Sequence, residues 1–177
     1  MQEHKDFWDK NANRYDRFMR KDRAAHIEAT DASGEMIAEA KRDSRSAKLY
    51  FSVQDMFCLP YAGKSFDVVI VSNALHIVPQ PEKALAEIHR VLKDDGVLIA
   101  PTFTHAGNDF RGNVKAFFMK LVGFRQYSKW SSESYLDFLQ EQGWTVRKSE
   151  VLKASFPLTY TECVKSNVQT TTGGNSK

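Results

Sequence analysis

The chain has 177 residues, 42% of them hydrophobic and 27% charged, which predicts a soluble globular protein of one domain with a real core. Its 25 basic and 22 acidic residues leave a net charge of +3, but the bases are scattered among acids, which argues against a nucleic-acid footprint. No apolar run approaches the ~20 residues of a membrane span, the start MQEHKDFWDK has no signal-peptide core, and Cys58 and Cys163 fit no metal or redox spacing, so a reduced cytoplasmic protein without a metal site is expected.

In chain order, residues 4–23 place Phe7, Trp8, Tyr15, Phe18 and Met19 on one face and predict an amphipathic helix. Residues 27–30 read as a short strand that ends at Asp31. Ser33 is placed to cap a helix over 35–41, with Met36, Ile37 and Ala40 facing inward. Residues 49–53 form the next strand. Residues 55–64 form a loop that carries Pro60 and Gly63.

The β-branched run 66–72 has the pattern of a strand buried on both faces. Pro79 and Pro81 precede a helix over 82–93, with Leu85, Ile88 and Leu92 inward and Asp94-Asp95-Gly96 as its stop. Residues 97–100 are a further buried strand. Strands that alternate with helices imply a parallel α/β sheet. Beyond it, residues 134–142 predict a helix stopped by Gly143, and 144–154 with 159–165 predict paired antiparallel strands. The boundaries are a domain over 1–166 and a disordered tail over 167–177, which is polar and has no aromatic residue.

Ligands of open α/β sheets bind beyond the carboxyl ends of the strands, so the polar residues there carry the functional argument. They are Asp31, Asp55, Asn73, Thr102, Thr104 and His105. Asp31, at a strand-to-helix junction, suits ribose hydroxyls, and equally a turn or helix cap. His76 is a candidate base because imidazole titrates near neutrality, and equally a packed core histidine. His105 is a candidate base on the acceptor side, and equally a surface-loop residue. Phe110, Phe117, Phe118, Phe124, Tyr127 and Trp130 form either an apolar cap over an acceptor or part of the core.

The run QDMFCLPYAGKSFDVVIVSNALHIVPQPEKALAEIHRVLKDDGVLIAPTF, residues 54–103, resembles the second half of the core of class I S-adenosylmethionine-dependent methyltransferases of the small-molecule type. FWDKNANRYDRFM resembles the leading helix of that family, and HIEATDASGEMIAEAK its second strand and helix. The resemblance implies an α/β, Rossmann-like methyltransferase fold with a mainly parallel sheet and a C-terminal antiparallel hairpin. It implies S-adenosylmethionine as cofactor and a small-molecule methyl acceptor. The cofactor would meet Asp31 and Ala32 at the ribose, Asp55 and Met56 at the adenine, and Asn73, Ala74 and Leu75 at the methionine part. His76 and His105 would serve catalysis.

The sequence departs from that family at one place. Only MRKDRAAH separates Phe18 from Ile27, where the family holds its first strand, a glycine-rich turn and the following helix. The only near-adjacent glycines are Gly173 and Gly174. The first strand and its helix are therefore expected to be missing, which leaves unpaired strand edges. The edges would close on each other, or a homodimer or segment swap would fill the gap. Three functions follow: methyl transfer, a non-catalytic oligomerising module that binds the cofactor weakly or not at all, and nicotinamide-dependent reduction. The last lacks both its glycine fingerprint and a hydride-transfer set.

Overall fold

The computed structural model describes residues 26–44, 46–104, 127–152 and 157–166. The predicted helix over 4–23, His105, Phe110, Phe117, Phe118, Phe124 and the tail lie outside the described residues. The chain divides into two compact units, Met1–Pro60 and Tyr61–Lys177. No helix among the described residues is long and apolar enough to cross a membrane.

In the first unit, β1 (Ile27–Asp31) and β2 (Leu49–Val53) pair in parallel, with Ile27 opposite Leu49 and Asp31 opposite Val53. Helix α1 (Gly34–Asp43) makes the crossover that a parallel pair requires. Ser33 caps it as expected: its hydroxyl accepts from Met36 N at 3.3 Å. The expected inward face is corrected. Ile37 alone is buried, whereas Met36 is 58% exposed and Ala40 is exposed. Met36 and Ala40 share one stripe, four residues apart, and a platform of two strands covers only the stripe through Ile37.

The second unit holds β3 (Phe66–Ile70), α2 (Pro81–Val91), β4 (Leu92–Ile99), β5 (Thr102–Phe103), α3 (Ser132–Glu141), β6 (Trp144–Leu152) and β7 (Leu158–Lys165). The sheet order is β3-β4-β7-β5, with β6 also on β7. Only β3–β4 is parallel here, so the sheet is mixed, and β6–β7 is the expected hairpin. β3 pairs with β4 and β1 with β2, and among the described residues neither strand has a second ladder. Val68, Val69 and Ile70 are accordingly half-buried, which corrects the expectation of a strand covered on both faces. Val71 is buried and Ser72 exposed.

Helix α2 stops at Val91, earlier than expected. Leu92 is extended (φ −76°, ψ 140°) and already pairs with Phe66. Asp94-Asp95-Gly96 is therefore part of β4 and not a helix cap. Between the Phe66–Leu92 and Val68–Val97 pairs, β4 carries surplus residues in a bulge. Charge holds the bulge: Asp94 pairs with Lys64 at 2.6 Å and Lys165 at 3.4 Å, and Lys93 with Asp67 at 2.7 Å. These contacts place the Asp94 carboxyl below its ordinary range, chiefly through the Lys64 hydrogen bond, and Asp67 likewise through Lys93. A Cβ on Gly96 would lie 2.7 Å from Leu92 Cγ and 3.0 Å from the Lys93 carbonyl, so any side chain here requires its neighbours to shift.

Leu85, Ile88 and Val91 of α2, Leu98 and Ile99 of β4, and Tyr135 and Leu139 of α3 are buried with Trp144. Each aliphatic side chain contributes roughly 1.5–3 kcal/mol on full burial. Two buried hydroxyls share one backbone acceptor. The Tyr135 hydroxyl donates to the Ala100 carbonyl at 2.8 Å, and the Thr161 hydroxyl donates to the same oxygen at 2.9 Å. Burial raises the Tyr135 phenol and pushes the Cys163 thiol up to about 11.

Candidate active site

In the first unit the parallel pairing brings the carboxyl ends of β1 and β2 side by side. The Gln54 N–H donates to the Asp31 carbonyl at 3.0 Å, which sets Asp31 and Asp55 at one end of the pair. Each carboxylate braces its own turn. Asp31 Oδ1 accepts from Ser33 N at 2.7 Å, and Asp55 Oδ1 accepts from Phe57 N at 2.9 Å. Both side chains are exposed, and the second oxygen of each has no hydrogen-bond partner among the described residues. Ala32 is exposed and Met56 half-buried beside them. Both the turn role and a further acceptor oxygen are present at each position.

In the second unit the β3–β4 ladder runs beyond the strand proper. Val71 N donates to Ile99 O at 2.8 Å and Asn73 N to Pro101 O at 2.9 Å. Asn73 then turns the chain with φ +53°, a left-handed conformation that asparagine tolerates better than most residues. Its Oδ1 is buried and has no hydrogen-bond partner among the described residues. A buried acceptor without a donor is costly, so it requires an explanation. Ala74 is half-buried, and its carbonyl accepts from Ile77 N at 3.0 Å; Leu75 is buried.

His76 is buried at 3% exposure. Its Nδ1 lies 2.9 Å from Thr102 Oγ1, and the ring meets Phe103 edge-on at 5.8 Å. Its carbonyl accepts from both Tyr127 N and Ser128 N, at 3.0 and 3.2 Å. Sequence reasoning marked Thr102 as a strand-end residue and missed this pairing, because a contact across 26 residues leaves no local pattern. Thr104 pairs instead with Thr159, hydroxyl to hydroxyl at 2.8 Å. Of the aromatic segment, Trp130 stacks on Phe138 at 4.8 Å and leans on Tyr135 at 5.2 Å, while Tyr127 is half-exposed. Among the described residues no three metal-ligating side chains cluster.

This is a Rossmann-like fold whose polar residues gather at carboxyl strand ends, and comparison with known proteins specifies it further. The family model described as "Methyltransferase domain" matches residues 12–100, half of the chain. The chain belongs to that family. The demethylmenaquinone methyltransferase of Renibacterium salmoninarum is 39% identical over 84 residues, 48% of this chain and 35% of that protein. The chain spans about a third of the length of the curated relatives it matches, 35% and 38% in two of them. Among solved structures, the PH0226 protein of Pyrococcus horikoshii aligns with a TM-score of 0.70 at 18% identity, over 94% of this chain and 92% of that one. The [4+2]-cyclase SpnF aligns at 0.66 and 19% identity, over 88% and 70%. A cyclase among the likenesses illustrates that the fold alone does not fix the reaction.

Proposed function

We propose that the chain transfers a methyl group from S-adenosylmethionine to a small-molecule acceptor in the cytoplasm. The observation that carries this reading is the buried Asn73 Oδ1 at the carboxyl end of β3, an acceptor without a donor among the described residues. The ammonium at the amino-acid end of the cofactor is a donor of the required charge and size. Asp31 and Asp55 fit the nucleoside part, each with a carboxylate oxygen beyond the one its turn uses. Ala32 and Met56 flank these carboxylates, and Ala74 and Leu75 flank Asn73. When bound, the cofactor supplies a methyl group made electrophilic by its sulfonium and leaves as S-adenosylhomocysteine. The chain's own residues orient the reactants and exclude water. His76 and His105 serve the acceptor, by a hydrogen bond or by taking its proton.

Titration calorimetry with S-adenosylhomocysteine tests this reading. Asn73→Gly keeps the left-handed turn and removes the orphaned oxygen. It should weaken binding about ten- to a hundredfold, as expected for a lost hydrogen bond to a charged group, with thermal stability unchanged or raised. Asp31→Ala should also weaken binding. No binding by a folded wild-type sample at millimolar ligand would sink the enzyme reading.

One feature favours a second reading, a shortened chain that oligomerises without turnover. The sequence has no glycine-rich turn ahead of β1, and β1 and β3 each pair on one side only among the described residues. We infer that the family's first strand is missing here and that a second copy of the chain is the partner for the edge of β3.

A further inference from the structure

We propose that Thr102 is a positioning residue that holds the His76 imidazole in its Nε2–H tautomer, so that His76 donates a hydrogen bond and is not the base. Thr102 is fully buried, and its Oγ1 has one hydrogen-bond partner among the described residues, His76 Nδ1 at 2.9 Å. A hydroxyl brings one proton that must be donated and lone pairs that accept. If Nδ1 carried a hydrogen and donated it to Oγ1, the hydroxyl proton would be buried with no acceptor among the described residues. If instead the hydroxyl donates to Nδ1, every proton in the pair is used. The second arrangement leaves Nδ1 without hydrogen, and a neutral imidazole then carries its hydrogen on Nε2. A doubly protonated ring meets the same objection as the first arrangement, and it would also place a charge at a site 3% exposed.

The pair is held from both sides. Thr102 is fixed by the β5–β7 ladder, where it faces Thr159. The His76 backbone is fixed by the Tyr127 and Ser128 amides on its carbonyl, and its ring by the edge of Phe103. The ring therefore has little freedom to turn and exchange its two nitrogens.

The consequence for mechanism rests on the methyltransferase reading. With its Nδ1 lone pair engaged by Thr102 and its Nε2 carrying a hydrogen, His76 has no lone pair with which to remove the acceptor's proton. Its place is to donate to an oxygen of the acceptor or of the surrounding chain, and His105 remains the candidate for proton removal.

The test is nitrogen-15 correlation spectroscopy of the histidine rings, on wild type, Thr102→Val, Thr102→Ser and, for assignment, His76→Gln. It needs no cofactor or turnover, so it stands whether or not S-adenosylhomocysteine binds. The expected result is a pyridine-type shift at His76 Nδ1 and a pyrrole-type shift at Nε2 in wild type. Thr102→Val, which keeps the shape and removes the hydroxyl, should lose that pattern, and Thr102→Ser should restore it. A pyrrole-type shift at Nδ1 in wild type, alone or with Nε2, would overturn the proposal. So would a wild-type pattern that persists unchanged in Thr102→Val.

Discussion

Single side chains in this protein have separable tasks, and the cysteines show it most directly. Cys58 is exposed, whereas Cys163 is buried and its thiol is pushed up to about 11. The thiolate is the reactive species, so a thiol reagent at pH 8 should label Cys58 in the native protein and reach Cys163 only in denaturant. Mass spectrometry of the labelled peptides would check this, and rapid native labelling of Cys163 would contradict the packing around Ala100. His89 gives a residue-scale expectation for pH. Burial first and Lys165 second lower its affinity for a proton in the folded state. The unfolded chain then binds the proton more readily, so stability is full above the ordinary histidine value near 6.5 and falls as pH drops below it. Urea denaturation from pH 7.5 to 5 should show a smaller loss in His89→Gln than in wild type. Asp31, Asp55 and Asn73 were legible in the sequence as strand-end residues, because strand ends announce themselves by a polar residue after an apolar run. The orphaned oxygen of Asn73 and the Thr102 hydroxyl on His76 were not, since both depend on neighbours remote in sequence.

At the scale of elements, local signals were reliable where one residue dictates the outcome. Ser33 caps α1, and Gly143 at φ +81° ends α3. They failed where tertiary pairing competes with a local signal. Asp94-Asp95-Gly96 reads as a helix stop, yet the pairing of Leu92 with Phe66 draws the chain into β4 two residues before Asp94. Its glycine is needed for a different reason, the close approach of Leu92. Gly96→Ala should cost about 1–3 kcal/mol, in the range of overpacked cores. Chemical denaturation would measure it, and a neutral result would mean that the bulge relaxes. The Ala100 carbonyl, which accepts from Tyr135 and Thr161, predicts coupling. Tyr135→Phe leaves the carbonyl satisfied by Thr161 and should cost only about 1 kcal/mol, whereas adding Thr161→Val should cost more than the sum of the two single changes. A double-mutant cycle would detect the difference.

For the whole molecule, alternation of strand and helix sufficed to read the α/β class, and family membership agrees with it. The order of strands was not legible, because it depends on which edges meet. The half-buried Val68, Val69 and Ile70 form an apolar edge that a second copy of the chain would cover. Light scattering at micromolar concentration should then give the mass of two chains, with a melting temperature that rises with concentration. The mass of one chain throughout would set the partner proposal aside.

The position of β7 has a consequence for how the protein is made. It lies between β4 and β5 and also carries β6, yet it is the last strand among the described residues. A ribosome reaches the end of β4 at Ile99 and the end of β7 at Lys165. At about 5–20 residues per second, that interval lasts roughly 3–13 s. For those seconds the emerging chain presents Leu98 and Ile99 without the strand that later covers them. The nascent protein is therefore more aggregation-prone in that interval, and that is when a chaperone has most to protect.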